Sequence, residues 1–170
     1  PLKLVEIKEL VRNTSFNVFS SPANQLGGRV VAMNVPGGGS LTRKQIDSYT
    51  DLVVSNVAKG LAYIKVQDKK LGLDGLQSPI LKFLDLNVIN QILEKTSSNN
   101  GDLLFFGAGL GRTVNVTMAA LRDIIAKDLG LITEEWCPCW VMDFPLFEKD
   151  DKDHLSSLHH PFTAPCQEID

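Results

Sequence analysis

Two adjacent histidines stand before a proline near the end of the sequence, in the string His159-His160-Pro161. Proline disfavours helical backbone at the residue before it, so the two rings are expected in extended backbone, on opposite sides of the chain. One ring can then face a pocket while the other packs behind it. Imidazole can carry a positive charge near neutral pH, and a cationic donor suits a ligand carboxylate. Spacing alone leaves a structural pair and a binding site equally open.

A second group of residues that could do chemistry is Cys137-Pro138-Cys139, which resembles half of a metal site. On a strand, however, side chains separated by one residue point to opposite faces. The histidines and Cys166 supply no second pair at the spacing of a zinc finger, so we expect small buried side chains and no metal. An odd number of cysteines is also a poor disulfide framework, and it fits a reducing compartment.

The acidic run over residues 148–153 alternates with lysines. Mutual screening and solvent are enough to explain it, and it predicts the tip of a hairpin. A cysteine near two histidines and scattered aspartates does not establish a nucleophilic triad without geometry. We therefore assign no catalytic residue.

Two glycine-rich segments each precede a predicted helix. Residues 107–112 read Gly-Ala-Gly-Leu-Gly-Arg, but a dinucleotide loop needs G-x-G-x-x-G, and Arg112 stands where its last glycine should be. Residues 36–44 lack the phosphate-loop pattern, and Thr42 and Gln45 form a capping box that occupies the free amides of the helix. Both segments therefore predict turns. Arg43 and Lys44 remain candidates for a weak contact with an RNA backbone.

The composition predicts a folded protein without strong charge. The chain has 170 residues, 44% of them hydrophobic and 22% charged, with a formal net charge of -3. This length allows one well-cored domain with a short appendage. Such a small net charge produces no overall electrostatic field that would attract the chain to nucleic acid or to an anionic membrane. The sequence has no run of apolar residues long enough to span a membrane and no signal-peptide pattern, so we expect a cytoplasmic protein.

The elements that must position these residues follow from periodicity and turn signals. They alternate in a way that predicts an α+β fold: a two-layer sandwich with a largely antiparallel four-stranded sheet and helices on one face. We expect a first domain over 1–130 and a further extended segment over 131–170. The predicted elements are a short helix over 4–11, strands over 16–19 and 29–34, a helix over 42–57, a strand over 61–66, an insertion with short helices over 67–100, a strand over 102–106, a helix face over 114–129, an extended segment over 140–147 and a strand over 155–158.

Several long strings resemble the bacterial-type aspartyl-tRNA synthetase family, a class II family. The resemblance covers nearly the whole chain. The strings are Val35-Pro36-Gly37-Gly38, residues 40–47, residues 58–66, Gly101-Asp102 with Phe105-Phe106-Gly107, Trp140-Val141, Asp143-Phe144-Pro145, Phe147-Glu148 and residues 159–165.

The resemblance implies that residues 1–130 are a GAD-type insertion domain (GAD/DCoH-like) and that residues 131–170 are part of the class II catalytic domain. The GAD domain also resembles one in the B subunit of the tRNA-dependent amidotransferase, where it would be a tRNA-binding module. A third alternative is a structural spacer with negligible affinity for RNA. The strings after residue 140 favour the synthetase.

The implied activity is activation of L-aspartate with ATP and Mg²⁺, followed by transfer to tRNA-Asp, in a homodimeric parent enzyme. By resemblance, His160 first and His159 second are expected to contact the bound aspartate or its adenylate. The arginine-bearing loop of motif 2, the motif 3 strand and an anticodon-binding domain have no match in the sequence. The chain is therefore expected to be a fragment that is inactive alone and binds no cofactor.

Overall fold

The computed structural model describes residues 2–55, 60–134, 136–149 and 154–158. The chain divides into two compact units, Pro1–Thr133 and Glu134–Asp170. Among the described residues, no helix is both long and apolar enough to cross a membrane.

The first unit is built on a five-stranded sheet in which every pair of neighbours is antiparallel, in the order β1-β2-β5-β3-β4. Its centre is the pair β2 and β5, which are in register from Gly28 opposite Leu110 to Val35 opposite Leu103. The strands are β1 Leu4–Glu6, β2 Gly28–Val35, β3 Ala62–Val66, β4 Leu76–Gln77 and β5 Leu103–Leu110.

Helices cover both faces of this sheet. Val30 and Ala32 of β2 lie in one buried cluster, whereas Val31 and Met33 lie in a second, because successive side chains of a strand point to opposite faces. The first cluster takes in helices α1, α2 and α4, and the second takes in α3 and α5. The helices are α1 Lys8–Val11, α2 Asn17–Asn24, α3 Arg43–Ser55, α4 Leu86–Lys95 and α5 Gly111–Asp128.

The predicted fold class is confirmed, with two differences in detail. The sheet has five strands where four were predicted: three of the predicted strands are present, and β1 and β4 were missed because they are only three and two residues long and carry no readable periodicity. Helices pack on both faces where one was predicted. The sequence does indicate helices on both faces: residues 30–33 and 103–106 are apolar without alternation, as expected of strands buried on both sides.

Two predicted elements near the start are wrong. Residues 4–6 form a strand paired with β2, so the predicted helix over 4–11 is reduced to Lys8–Val11. Residues 16–19, predicted as a strand, begin helix α2 instead. Phe16 and Phe19 are three residues apart and meet edge to face, with ring centroids 4.8 Å apart. Packing on one helix face therefore overrides the strand preference of aromatic residues.

The later elements follow the prediction closely. Strand β3 and helix α4 lie where expected, and helix α5 ends just before Gly130, whose φ is +62°. Leu131 donates its N–H to the carbonyl of Ala126 at 2.8 Å, and Gly130 donates to Lys127 at 3.1 Å. This pattern is a Schellman motif, in which glycine adopts the left-handed backbone that ends a helix.

The second unit contains a short hairpin of β6 Phe147–Lys149 and β7 Leu155–Ser157, with Phe147 opposite Ser157. The predicted strand over 155–158 is thus confirmed, but the extended segment over 140–147 forms a strand only at its last residue. Large apolar side chains of this unit are exposed, including Trp136 at 82% and Trp140 at 94%. The described part of the second unit therefore has no hydrophobic core of its own.

Candidate functional site

The glycine-rich segment after β2 is a rigid turn that sets the start of helix α3. Gly37 has φ +71°, a backbone conformation that favours glycine. Gly39 donates its N–H to the carbonyl of Gly101 at 2.8 Å, and a Cβ on Gly39 would lie 2.7 Å from that same oxygen. Glycine is required at this position because the two backbones meet there.

The side chains of Asp102 and Lys65 fix this turn by hydrogen bonds to its backbone. The Asp102 side chain belongs to a residue only 5% exposed, and its carboxylate accepts from the Gly37 N–H at 3.0 Å, the Asn99 N–H at 2.8 Å and the Asn34 Nδ2 at 3.0 Å. Lys65 Nζ donates to the carbonyl of Gly39 at 3.1 Å and to that of Leu41. The amides of Gly37 and Gly39 and the carbonyls of Gly39 and Leu41 are thereby occupied within the chain.

The predicted capping box is present at the start of α3. The Thr42 N–H donates to Gln45 Oε1 at 2.9 Å, and the Gln45 N–H donates to Thr42 Oγ1 at 3.3 Å. Leu41 and Ile46 are both buried in the same cluster, as expected of the staple that accompanies such a box. Two free amides of the helix are thereby satisfied within the chain.

Arg43 and Lys44 project from this fixed helix start into solvent. The Arg43 side chain is 91% exposed, and its Nε lies 4.0 Å from Asp47 Oδ2, which is a weak surface pair. Lys44 is exposed. The two cations of the helix are matched by Asp47 and Asp51, so this surface can make one or two phosphate contacts and no more.

The second glycine-rich segment serves packing. Strand β5 continues to Leu110 and helix α5 begins at once at Gly111, so no loop remains to hold a phosphate. A Cβ on Gly107 would lie 2.6 Å from Met118 Cγ, which means that glycine lets α5 approach the sheet closely. The cavity beside Gly107 has a volume of about 20 Å³ and can take at most a water molecule.

The histidine pair, His159 and His160, lies outside the described residues. The expectation of buried cysteines is wrong, since Cys137 and Cys139 are both exposed. They lie in a stretch without helix or strand whose neighbours are exposed as well. Within the described parts of the chain, no group of three or more His, Cys, Asp or Glu could hold a metal ion.

One partly buried polar contact could not be predicted from the sequence. Tyr49 of α3 donates its hydroxyl to Asp128 Oδ2 of α5 at 2.8 Å, and its ring meets Phe105 edge to face. Burial, helped by the hydrogen bond to Asp128 and by the negative charge of that carboxylate, raises the pKa of Tyr49 to about 12. The two residues are far apart in sequence, so only the packing of α3 against α5 brings them together.

The fold and this site define an α+β domain with an antiparallel sheet, in which a glycine-rich turn fixed by side-chain hydrogen bonds leads into a capped helix. The family model described as the GAD domain matches residues 19–118, and the chain belongs to that family.

A curated relative extends the similarity beyond the GAD match. The aspartate–tRNA ligase of Haemophilus ducreyi is 51% identical over 166 residues, which cover 97% of this chain and 28% of that protein. The chain thus spans less than a third of the length of this relative.

Proposed function

We propose that this chain is part of an aspartate–tRNA ligase, with residues 1–130 as its GAD insertion domain and residues 131–170 as a segment of its class II catalytic domain. The observation that carries the proposal is the extent of the similarity to a ligase. The GAD match ends at residue 118, but the 51% identity to the aspartate–tRNA ligase covers 97% of the chain and so includes most of the second unit.

The positions of the two ends of the first unit support an inserted domain. Leu2, ahead of β1, and Leu131 and Ile132, after α5, line the same cleft. The segments before β1 and after α5 therefore lie on one side of this unit. A domain inserted into a host fold needs neighbouring ends, because the host chain must continue where it was interrupted.

The second unit has the exposure expected of a piece of a larger sheet. Trp136, Trp140 and Leu155 are exposed at 82%, 94% and 69%, and strands β6 and β7 have three residues each. A two-stranded hairpin is marginally stable alone, and exposed apolar surface of this kind marks a place where other residues pack. The rest of a catalytic domain would cover it.

The parent enzyme joins L-aspartate to tRNA-Asp in two steps. The aspartate carboxylate displaces pyrophosphate from ATP to give the aspartyl adenylate, and the aspartyl group is then transferred to the 3′ end of the tRNA with release of AMP. Bound Mg²⁺ would balance the charge of the ATP phosphates. The described residues do not fit ATP or Mg²⁺, because the amides of the glycine turn are used within the fold and no acidic cluster is available. We expect the chain alone to be inactive, and the parent enzyme to be a cytoplasmic homodimer.

His160, and secondly His159, contact the bound aspartate or its adenylate. Their part is to place and neutralise a carboxylate, which a cationic imidazole does by donating hydrogen bonds. No proton transfer is assigned to them. Arg43 and Lys44 add a weak contact to the tRNA backbone, since the helix that carries them has no net charge.

Charging of tRNA-Asp by the full-length product of the gene that encodes this chain tests the proposal. With ATP and Mg²⁺ present, we expect labelled L-aspartate on the tRNA. The competing module of an amidotransferase would leave the tRNA uncharged, and would instead support conversion of an already attached acidic residue to its amide. A folded protein that does the second and not the first would overturn the proposal.

A further inference from the structure

A well-formed cleft lies beside the segments that precede β1 and follow α5 in the first unit. Its volume is about 420 Å³, which lies in the range of roughly 300–1,000 Å³ that is usual for binding pockets. The apolar part of its lining comprises Leu2, Pro36, Ala126, Leu131 and Ile132. Ile132 is 61% exposed and Leu131 is 40% exposed, which is unusual for side chains that line an apolar groove.

One wall of the groove is fixed by the end of helix α5. The Schellman motif at Gly130 turns the chain back, so that Leu131 is tied to Ala126 by a backbone hydrogen bond of 2.8 Å. The groove is therefore preformed, and an occupant would not need to order this wall first.

The charges on the same wall favour an acidic occupant. Arg122 Nε lies 3.7 Å from Asp123 Oδ1, so the one carboxylate of the lining already has a cationic neighbour. Lys127 forms no ion pair with any residue in the described part of the chain. A carboxylate entering the groove would pair with Lys127 and compensate its charge on burial. Apolar walls and a nearby Asp123 make the groove unsuitable for the phosphates of RNA.

We infer that this groove seats an apolar segment carrying a carboxylate, contributed by the part of the longer protein outside these 170 residues. The inference rests on the proposed function, in which the first unit is inserted into a host chain. The chain spans 28% of the ligase that it resembles, so most of the length of such a protein lies outside these 170 residues and can supply the occupant. Docking there holds the insertion domain in one orientation against its host.

A zero-length cross-link in the full-length protein tests this assignment. A carbodiimide joins an amine to a carboxylate only when the two are in contact, and mass spectrometry of the digest identifies the peptides joined. We expect Lys127 joined to an Asp or Glu outside these 170 residues, and loss of that product in the Lys127→Gln variant. Lys95, exposed on α4, is the internal control and should not join that carboxylate.

Two arginine variants separate docking in the groove from chance proximity. Ala126→Arg fills the groove and should abolish the cross-link, whereas Val116→Arg, at a 58% exposed position of the same helix, should keep it. If Lys127 in the wild-type protein joins only residues within the chain, or nothing, the assignment is overturned even if Ala126→Arg does not fold. If the same preparation charges tRNA-Asp but gives no cross-link, only the docking proposal is overturned. If it gives the cross-link but does not charge tRNA-Asp, only the proposed function is overturned.

Discussion

Replacing Tyr49 by phenylalanine tests how α3 packs on α5, because it removes the hydroxyl that binds Asp128 and keeps the ring that meets Phe105. Below pH 10 the variant loses one hydrogen bond between a buried hydroxyl and an exposed carboxylate. We expect the free energy of unfolding to fall by about 1.5–2 kcal/mol, the lower part of the usual range for a hydrogen bond to a charged group, because Asp128 is exposed.

The alkaline range gives the sharper result. Tyr49 ionises near its ordinary value of 10.0 in the unfolded chain, but at about 12 in the folded domain. Because the folded pKa is the higher one, the stabilisation is fully present below pH 10 and is lost as the pH rises through 12. This difference in pKa corresponds to about 3 kcal/mol of stability that the wild type loses at high pH. The phenylalanine variant has no hydroxyl to ionise and does not lose it. The wild type should therefore become the less stable of the two at high pH.

Urea unfolding followed by circular dichroism, at about pH 8 and at about pH 12, measures both effects. Tyr63→Phe is the matched control, because the Tyr63 hydroxyl makes no hydrogen bond to a described residue, and its values should follow the wild type. Equal dependence on pH in the wild type and in Tyr49→Phe would refute the reasoning.

Three further variants test the turn, the packing and the RNA contact. Asp102→Asn places an amide group against backbone donors that now point at a buried carboxylate, and should lower the free energy of unfolding by about 2–4 kcal/mol in urea unfolding. Gly107→Ala puts a methyl group 2.6 Å from Met118 Cγ and should cost about 1–3 kcal/mol in the same assay. Arg43→Ala with Lys44→Ala should weaken tRNA binding by the full-length protein by no more than about tenfold at low salt, and should flatten its salt dependence.

The controls for these three use exposed positions. Asp85→Asn alters a helix start where the side chain makes no capping hydrogen bond, so it should leave stability nearly unchanged. An unfolding free energy for Asp102→Asn that equals that of Asp85→Asn would contradict the anchoring role of Asp102. Full stability in Gly107→Ala would mean that α5 does not pack closely on β5. Lys95→Ala should not alter tRNA binding, and a loss equal to that of the double variant would remove the assignment of the contact to α3.

The sequence predicts well those features that depend only on residues close together in the chain. The capping box of Thr42 and Gln45 is local, and so is the stop at Gly130, and both are confirmed. Strand β1 depends on its partner β2, and helix α2 depends on the sheet beneath Phe19, so the patterns over 4–11 and 16–19 led to wrong elements.

The candidate site divides in the same way. The family resemblance led to the histidine pair, and residue type led to Arg43 and Lys44. The helix start that carries these two cations lies where it was expected. Neither the groove nor the contact between Tyr49 and Asp128 was predicted. Their residues are brought together by the fold from distant parts of the sequence, and no spacing rule describes such a set.

The most direct test of the central claim is L-aspartate-dependent exchange between ATP and pyrophosphate by the full-length gene product. The account predicts exchange with L-aspartate that is strongly reduced in His160→Ala and unchanged in His154→Ala, the histidine that lies in the hairpin region of the second unit. A folded full-length protein that shows no exchange with L-aspartate would contradict the account.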